Sequence, residues 1–225
     1  MTTRIDEMFK AGAHFGYSKT RRHPTSSPYI LGTKNRVDII DLEKTTTLLE
    51  KAEEFAKTLG AAGKTLLFVG VKPEAKRAVE SVAQSLNQPY VIERWVGGII
   101  TNFSEIKKRI AKLEELTKER ESGEQARYTK KERLLIEREI ERLEKYFEGL
   151  VGMTKIPDAL FIVDPKRESN AIAEAVRAGI PVITLGNTDC DQKIPDYPII
   201  ANDSSVSSIT FFVNAIKNAY SSSVQ

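Results

Sequence analysis

The chain has 225 residues, room for one large domain or one domain carrying an insertion, and enough to bury a substantial core. Its 40% hydrophobic and 29% charged residues read as globular, and a formal net charge of only +3 excludes a uniformly basic surface, so an anionic partner requires local positive charge. The single cysteine, Cys190, excludes an intramolecular disulfide; with no apolar stretch of signal-peptide length and no run near the roughly 18 residues that span a bilayer, a cytoplasmic protein without membrane contact is expected.

In chain order, the first distinctive stretch is residues 8–37. It contains no acid, while Lys10, Lys19, Arg21, Arg22, Lys34 and Arg36 give it +6. Pro24 and Pro28 interrupt it, so much of it is expected to be extended or looped. Tyr17, His23 and Tyr29 lie among the cations, offering stacking surfaces beside charge, as RNA-binding segments do. A solvated basic loop is the plainer alternative.

An α/β pattern follows. Glu43 to Leu59 has helical spacing and ends near Gly60 and Gly63. Thr65 to Val71 is a buried-strand run, and Pro73 opens a helix, where a missing N–H costs nothing. Tyr90-Val91-Ile92, Ala159 to Val163, Pro181 to Leu185 and Ile199 to Ala201 read as further strands. Asp164-Pro165 is expected to be the N-cap and first residue of a helix ending at Gly179, and Ser204 to Tyr220 a closing helix. Apolar strands alternating with helices predict a largely parallel sheet covered on both faces.

Residues 103–148 interrupt this pattern with 13 bases and 12 acids. Ile106, Ile110 and Leu113, then Ile136, Ile140, Leu143 and Phe147, form apolar seams on either side of Gly123 and its polar neighbours. They predict two helices packed as an antiparallel coiled-coil hairpin, each arm about 30 Å long, inserted in an α/β domain made of residues 1–102 and 149–225. Lys107, Lys108, Arg109, Lys130 and Lys131 form basic clusters on it that suit phosphate, although a solvated helix face is an equally simple reading.

Catalytic and metal motifs are weak. Gly63-Lys64-Thr65 is not a P-loop: Thr58 stands where the motif needs its first glycine, and the strand follows instead of preceding. Gly63 fits a helix C-terminus better. Gly70, Asp164 and Gly186 should share the carboxyl edge of the sheet, the usual ligand edge of open α/β folds, which is the best argument for an enzyme binding a phosphorylated ligand. However, no nucleophile is paired with a base there, and no cofactor fingerprint exists. His14, Asp189, Cys190, Asp191 and Asp203 include metal-ligand types, but their spacing fits no standard site, so no metal or cofactor is expected. Arg94-Trp95 before Gly97-Gly98 is a second RNA candidate, or a tryptophan filling a core edge.

Longer blocks carry a family resemblance. They are Ala11-Gly12-Ala13-His14-Phe15-Gly16, Thr20-Arg21-Arg22, Pro28-Tyr29-Ile30, Ile39-Ile40-Asp41-Leu42-Glu43-Lys44-Thr45 and Leu67-Phe68-Val69-Gly70. Gln88-Pro89-Tyr90-Val91, Glu93-Arg94-Trp95-Val96-Gly97-Gly98, Pro157 to Pro165, Gly179-Ile180-Pro181-Val182 and Asp196-Tyr197-Pro198-Ile199 continue them. In order, across residues 5–220, they resemble the ribosomal protein S-two family in its bacterial and organellar branch. Tyr17 departs from a second histidine common there, and His23 from a common tryptophan.

The resemblance implies a Rossmann-like three-layer core with a protruding coiled coil and no catalysis or small-molecule substrate. It also implies a seat at the head–body junction of the small subunit, contact with small-subunit rRNA, and neighbouring ribosomal proteins including the large S-one protein. Joined to the charge pattern, it nominates Lys19, Arg21, Arg22, Lys34 and Arg36, then Arg94, Lys107, Lys108, Arg109, Lys130 and Lys131, as RNA-contacting residues.

Overall fold

The computed structural model describes residues 3–122 and 128–222; the link expected around Gly123 lies outside them. The acid-free segment is more ordered than its prolines suggest. Strands β1 (Phe15–Ser18), β2 (Ile30–Lys34) and β3 (Val37–Ile40) form an antiparallel sheet in the order β1-β3-β2. Pro24 and Pro28 fall in a 3-10 turn (Pro24–Tyr29) that joins β1 to β2. They interrupt the connection and leave the ladder intact, which is why strand pairing survives two residues that cannot donate to it.

The main sheet comprises β4 (Leu66–Val69), β5 (Tyr90–Val91), β6 (Ala159–Val163), β7 (Val182–Gly186) and β8 (Tyr197–Ile200), in the order β5-β4-β6-β7-β8. Every pairing is parallel. Side chains alternate between its faces, as the period of two requires. Leu66, Phe68, Ala159, Phe161, Val163, Ile183 and Leu185 enter one core, and Leu67, Val69, Leu160, Ile162 and Val182 the other. The first core is closed by α1 (Arg4–Lys10), α2 (Leu42–Ala61), α3 (Pro73–Ser85) and α7 (Val206–Ser221). On the second face, α6 (Ser169–Ala178) shares the cover with the base of α4 (Phe103–Ser122) and α5 (Lys130–Phe147). This is the expected three-layer α/β architecture.

Helix ends follow local chemistry. Asp41 caps α2 through its carboxylate, which accepts from Glu43 N and Lys44 N. Gly63, at φ +58°, ends the α2 region in the left-handed conformation, as a helix C-terminal glycine does. Gly179 does the same for α6.

One boundary differs from expectation. Asp164 is not the N-cap of α6, because the helix begins five residues later, at Ser169 after Glu168. Asp164 itself has φ +64°. Its Oδ1 accepts from Arg167 N at 3.1 Å and its carbonyl accepts from Arg167 N and Glu168 N, so it closes a turn ahead of the helix. An N-cap residue takes extended backbone, which the left-handed φ of Asp164 is not, and its other carboxylate oxygen lies against Lys72.

Helices α4 and α5 pack on each other through the expected residues. Ile106, Ile110, Leu113, Ile140, Leu143 and Phe147 are buried in the second core, and Leu116 and Ile136 continue the seam half-buried. Lys112–Glu139 (3.2 Å) and Arg120–Glu137 (3.4 Å) cross between the helices. Thr129 begins α5 with a capping box to Glu132. Among the described residues no helix is long and apolar enough to cross a membrane.

Candidate nucleic-acid interface

The small N-terminal sheet gathers the nominated cations. Lys34 and Val37 are paired across a two-residue loop, Asn35-Arg36, whose residues have φ +51° and +66°. Two left-handed residues in a two-residue hairpin match the twist of the strands, and asparagine tolerates the first position. Arginine at the second is unfavourable by about 1 kcal/mol or more relative to glycine. The strain places a guanidinium at the tip. Lys19 N donates to Arg36 O at 3.2 Å, which brings the Lys19–Arg21 turn beside that tip. Lys19, Arg21, Lys34 and Arg36 are all exposed, and none has a carboxylate within ion-pair distance among the described residues. Arg21 also lies over the Tyr17 ring, 5.2 Å from its centroid.

Arg22 has a different part. Its Nε and Nη2 donate to Asp38 at 2.8 and 2.5 Å, and Nη2 also reaches Thr33 Oγ1 at 3.1 Å. The Asp38 side chain is fully buried, so this fork neutralises a carboxylate inside the small sheet. The hydrogen bonds from Arg22 lower the Asp38 carboxyl below its usual range. Arg22 therefore shapes the lobe that presents the other four cations.

The lobe is fastened to the loop after β7. Tyr17 N donates to Thr188 Oγ1 (3.0 Å), His23 N to Thr188 O (2.8 Å) and Gln192 N to Thr25 Oγ1 (3.0 Å). Gly16 permits the approach: a Cβ there would lie 2.8 Å from Thr188 Cγ2.

The carboxyl edge of the main sheet is filled by the chain's own side chains. Lys72 Nζ lies 3.3 Å from Asp164 Oδ2, 3.2 Å from Asp203 Oδ2, and 3.3 Å from both Tyr17 Oη and Ser204 Oγ. Burial alone pulls the Lys72 pKa down, but Asp203 and then Asp164 outweigh it and hold the ammonium charged. The strand order reverses between β4 and β6, where such folds usually open a ligand crevice. Here Tyr17 from the N-terminal sheet and Lys72 occupy it.

Glu168, beside this cluster, is almost fully buried, and burial pushes its carboxyl up to about 7, with Asp164 adding to the rise. A raised folded-state pKa means that the native state binds more protons than the unfolded chain. The stability from this proton is complete below the ordinary value of 4.5 and is lost as pH rises through about 7. Glu168→Gln is expected to remove a dependence on the order of 3 kcal/mol between those limits, read as a flatter plot of denaturation midpoint against pH.

The nominated arm residues separate into two places. Arg94, Arg109 and Arg142 meet at the junction of the body with α4 and α5. Lys107 and Lys108 are exposed on α4, with Lys108 paired to Glu105 at 2.6 Å. Lys130 and Lys131 begin α5, about 25 Å from its base at Phe147 for a helix rising 1.5 Å per residue. The structure thus distributes the cations over a lobe, a junction and an arm end.

Two residues were not singled out by sequence. Lys72 is the hub just described. Glu174, on α6, receives five hydrogen bonds: Trp95 Nε1 (2.9 Å), Gly98 N (2.9 Å), Ile100 N (3.1 Å), Thr101 N (3.2 Å) and Thr101 Oγ1 (3.1 Å). Gly98, at φ +97°, turns the loop so that these donors converge. A signal for Glu174 existed: helical spacing puts it on the face of Ala171, Ala175 and Ala178, where an acid needs a partner.

The residues weighed as metal ligands have other partners. Asp189 pairs with Lys166 at 3.0 Å, Asp191 accepts from Lys193 N at 3.0 Å, and His14 stacks against Phe9 with ring centroids 4.3 Å apart. Among the described residues no three His, Cys, Asp or Glu side chains are grouped to hold a metal.

Known proteins resemble this chain over nearly its whole length. The family model described as ribosomal protein S2 matches residues 8–223. The small ribosomal subunit protein uS2 of Chloroflexus aurantiacus is 42% identical over 215 residues, covering 96% of this chain and 90% of the relative. That of Dictyoglomus thermophilum is 42% identical, covering 96% and 87%, and that of Wolinella succinogenes 41% identical, covering 96% and 79%. A match of this extent, to proteins that are structural components rather than enzymes, shows the family: the chain belongs to the ribosomal protein S2 family.

Proposed function

We propose that this protein is a structural constituent of the small ribosomal subunit in the cytoplasm, where it binds small-subunit rRNA at the head–body junction and supports translation. The observation that carries the reading is the lobe of Lys19, Arg21, Lys34 and Arg36, four exposed cations on a rigid sheet that is bolted to the body. Exposed cations without carboxylate partners attract phosphate, and arginine also forks onto it. Phosphate contacts hold position, and the rigid body supplies shape and register. The arm, residues 103–148, acts as an inserted coiled-coil hairpin whose Lys107, Lys108, Lys130 and Lys131 are further contacts. Neighbouring small-subunit proteins, including the large S-one protein, complete the setting.

Replacing Lys19, Arg21 and Arg36 together by alanine is expected to weaken incorporation into the subunit while the circular-dichroism spectrum is retained. In rRNA binding, the slope of log affinity against log salt should flatten by about 2, roughly 0.7 for each of the three lost phosphate contacts. Arg36→Gly sharpens the test. It relieves the left-handed strain, so it should stabilise the fold by about 1 kcal/mol and still weaken RNA binding. Unchanged incorporation by a folded triple variant contradicts the assignment.

A further inference from the structure

Where α4 and α5 leave the body, a groove of about 510 Å³ opens beside the loop that follows β5. Its floor is apolar: Leu143 and Phe147 are buried there. Tyr146 is half-buried in its wall, and Trp95 lines it with its indole N–H fixed on Glu174. Arg94, Arg109 and Arg142 stand around it, together with the carboxylate of Glu105. The cations nearby are largely neutralised: Lys108 by Glu105 (2.6 Å), Arg142 by Glu139 (2.9 Å) and Lys76 by Glu93 (2.6 Å). Arg94 and Arg109 are exposed and have no carboxylate within ion-pair distance among the described residues. Two open guanidiniums beside an aromatic wall and an apolar floor demand an anion that also carries a flat, apolar face.

We propose that this groove takes one unpaired nucleotide of a single-stranded RNA segment, with its base against Tyr146 and its phosphates on Arg94 and Arg109. The proposal rests on the reading of the chain as an RNA-binding component and adds a single-strand site to it. An A-form duplex keeps its bases stacked and offers only its backbone and shallow groove, whereas an unstacked nucleotide presents both a π-face and its phosphates. Stacking on an aromatic ring is tolerant of base identity, so the site selects strandedness more than sequence.

Trp95 is the only tryptophan in the chain, so its emission reports on this groove alone. The full-length protein is titrated with a short single-stranded oligouridylate, and with the same strand annealed to its complement. The expected result is saturable quenching by the single strand and none by the duplex. Arg94→Ala/Arg109→Ala should raise the half-saturating concentration at least about tenfold and flatten the salt slope by about 1.4, with unchanged circular dichroism. Tyr146→Leu should weaken binding about fivefold or more without changing that slope.

Equal titration of the double variant and the parent, or quenching by the duplex, overturns the proposal. So does equal quenching by polyglutamate, which would make the groove a site for acidic protein. If the groove fails while the Lys19, Arg21 and Arg36 variant still loses incorporation, the single-strand site alone falls. If neither variant changes anything, the RNA reading falls with it.

Discussion

Glu174→Ala is expected to cost the fold about 3–5 kcal/mol, because it strands buried donors in place of a satisfied anion. The carboxylate sits on the inner face of α6 and gathers the loop between Trp95 and Thr101, which leads directly into α4. Without it, three backbone N–H groups, the Trp95 indole N–H and the Thr101 hydroxyl lose an acceptor; the Trp95 and Ile100 donors are buried and carry most of the cost, while exposed Thr101 can turn to water. Burial tends to raise the pKa of Glu174, but the bonds from Trp95, Gly98, Thr101 and Ile100 outweigh it and lower it. A depressed folded-state pKa contributes stability that is present above the ordinary value of 4.5 and is lost as pH falls through the folded value. The measurement is urea denaturation followed by Trp95 emission. The expected outcome is a lower midpoint with little change in slope, together with an altered native emission spectrum. A loss below about 1 kcal/mol would show that water replaces the carboxylate without difficulty.

The second large effect is expected at Lys72. Lys72→Met keeps most of the aliphatic bulk and removes the charge shared by Asp164 and Asp203. Two carboxylates are then left side by side, one almost fully buried, at an expected cost of about 3–5 kcal/mol near neutral pH. Burial already pushes the Asp203 carboxyl above its usual range, and Asp164 adds to the shift. Without the ammonium Asp203 should take up a proton more readily when folded than when unfolded. Stability of the variant should therefore recover relative to the parent as pH falls from about 7 towards 5. A deficit constant across that range would mean that Lys72 acts by packing alone. The same variant should loosen the N-terminal lobe, since Lys72 reaches Tyr17 from β1, and hydrogen exchange at Tyr17 and Lys19 would register it.

Much of the body was legible because its signals are local and repeated. The apolar runs around Phe68, Phe161 and Ile183 are buried on both sides of a parallel sheet, which is the one arrangement that tolerates such runs. The seam residues of α4 and α5 fall where their spacing put them. The N-terminal segment reads in the sequence as extended or looped, and its pairing into a sheet is hidden, because its strands are four or five residues long and depend on a turn formed by Asn35-Arg36, which lacks the usual glycine.

Neither charge pattern nor family resemblance tells an open guanidinium from one held inside. Arg22 and Arg36 look alike in the sequence, yet Arg22 serves Asp38 and Arg36 faces outward. Lys72, Glu174 and Asp203 were invisible as a set, because their partners stand as far apart in the chain as Lys72 and Ser204 or Trp95 and Glu174. Asp164 was assigned to the right edge of the sheet but to the wrong duty, since its helix-capping alternative is local and its lysine is not.

Whether RNA holds this chain in the small ribosomal subunit is decided by gradient sedimentation of a tagged copy from a bacterial host, in moderate and then high salt, with RNA crosslinks mapped on the peak. The protein should migrate with the small subunit in moderate salt and be partly released in high salt, with crosslinks within residues 17–36 and at the α4–α5 junction. A protein that remains at the top of the gradient in both salts, with no RNA crosslinked to it, is not held in the subunit by RNA.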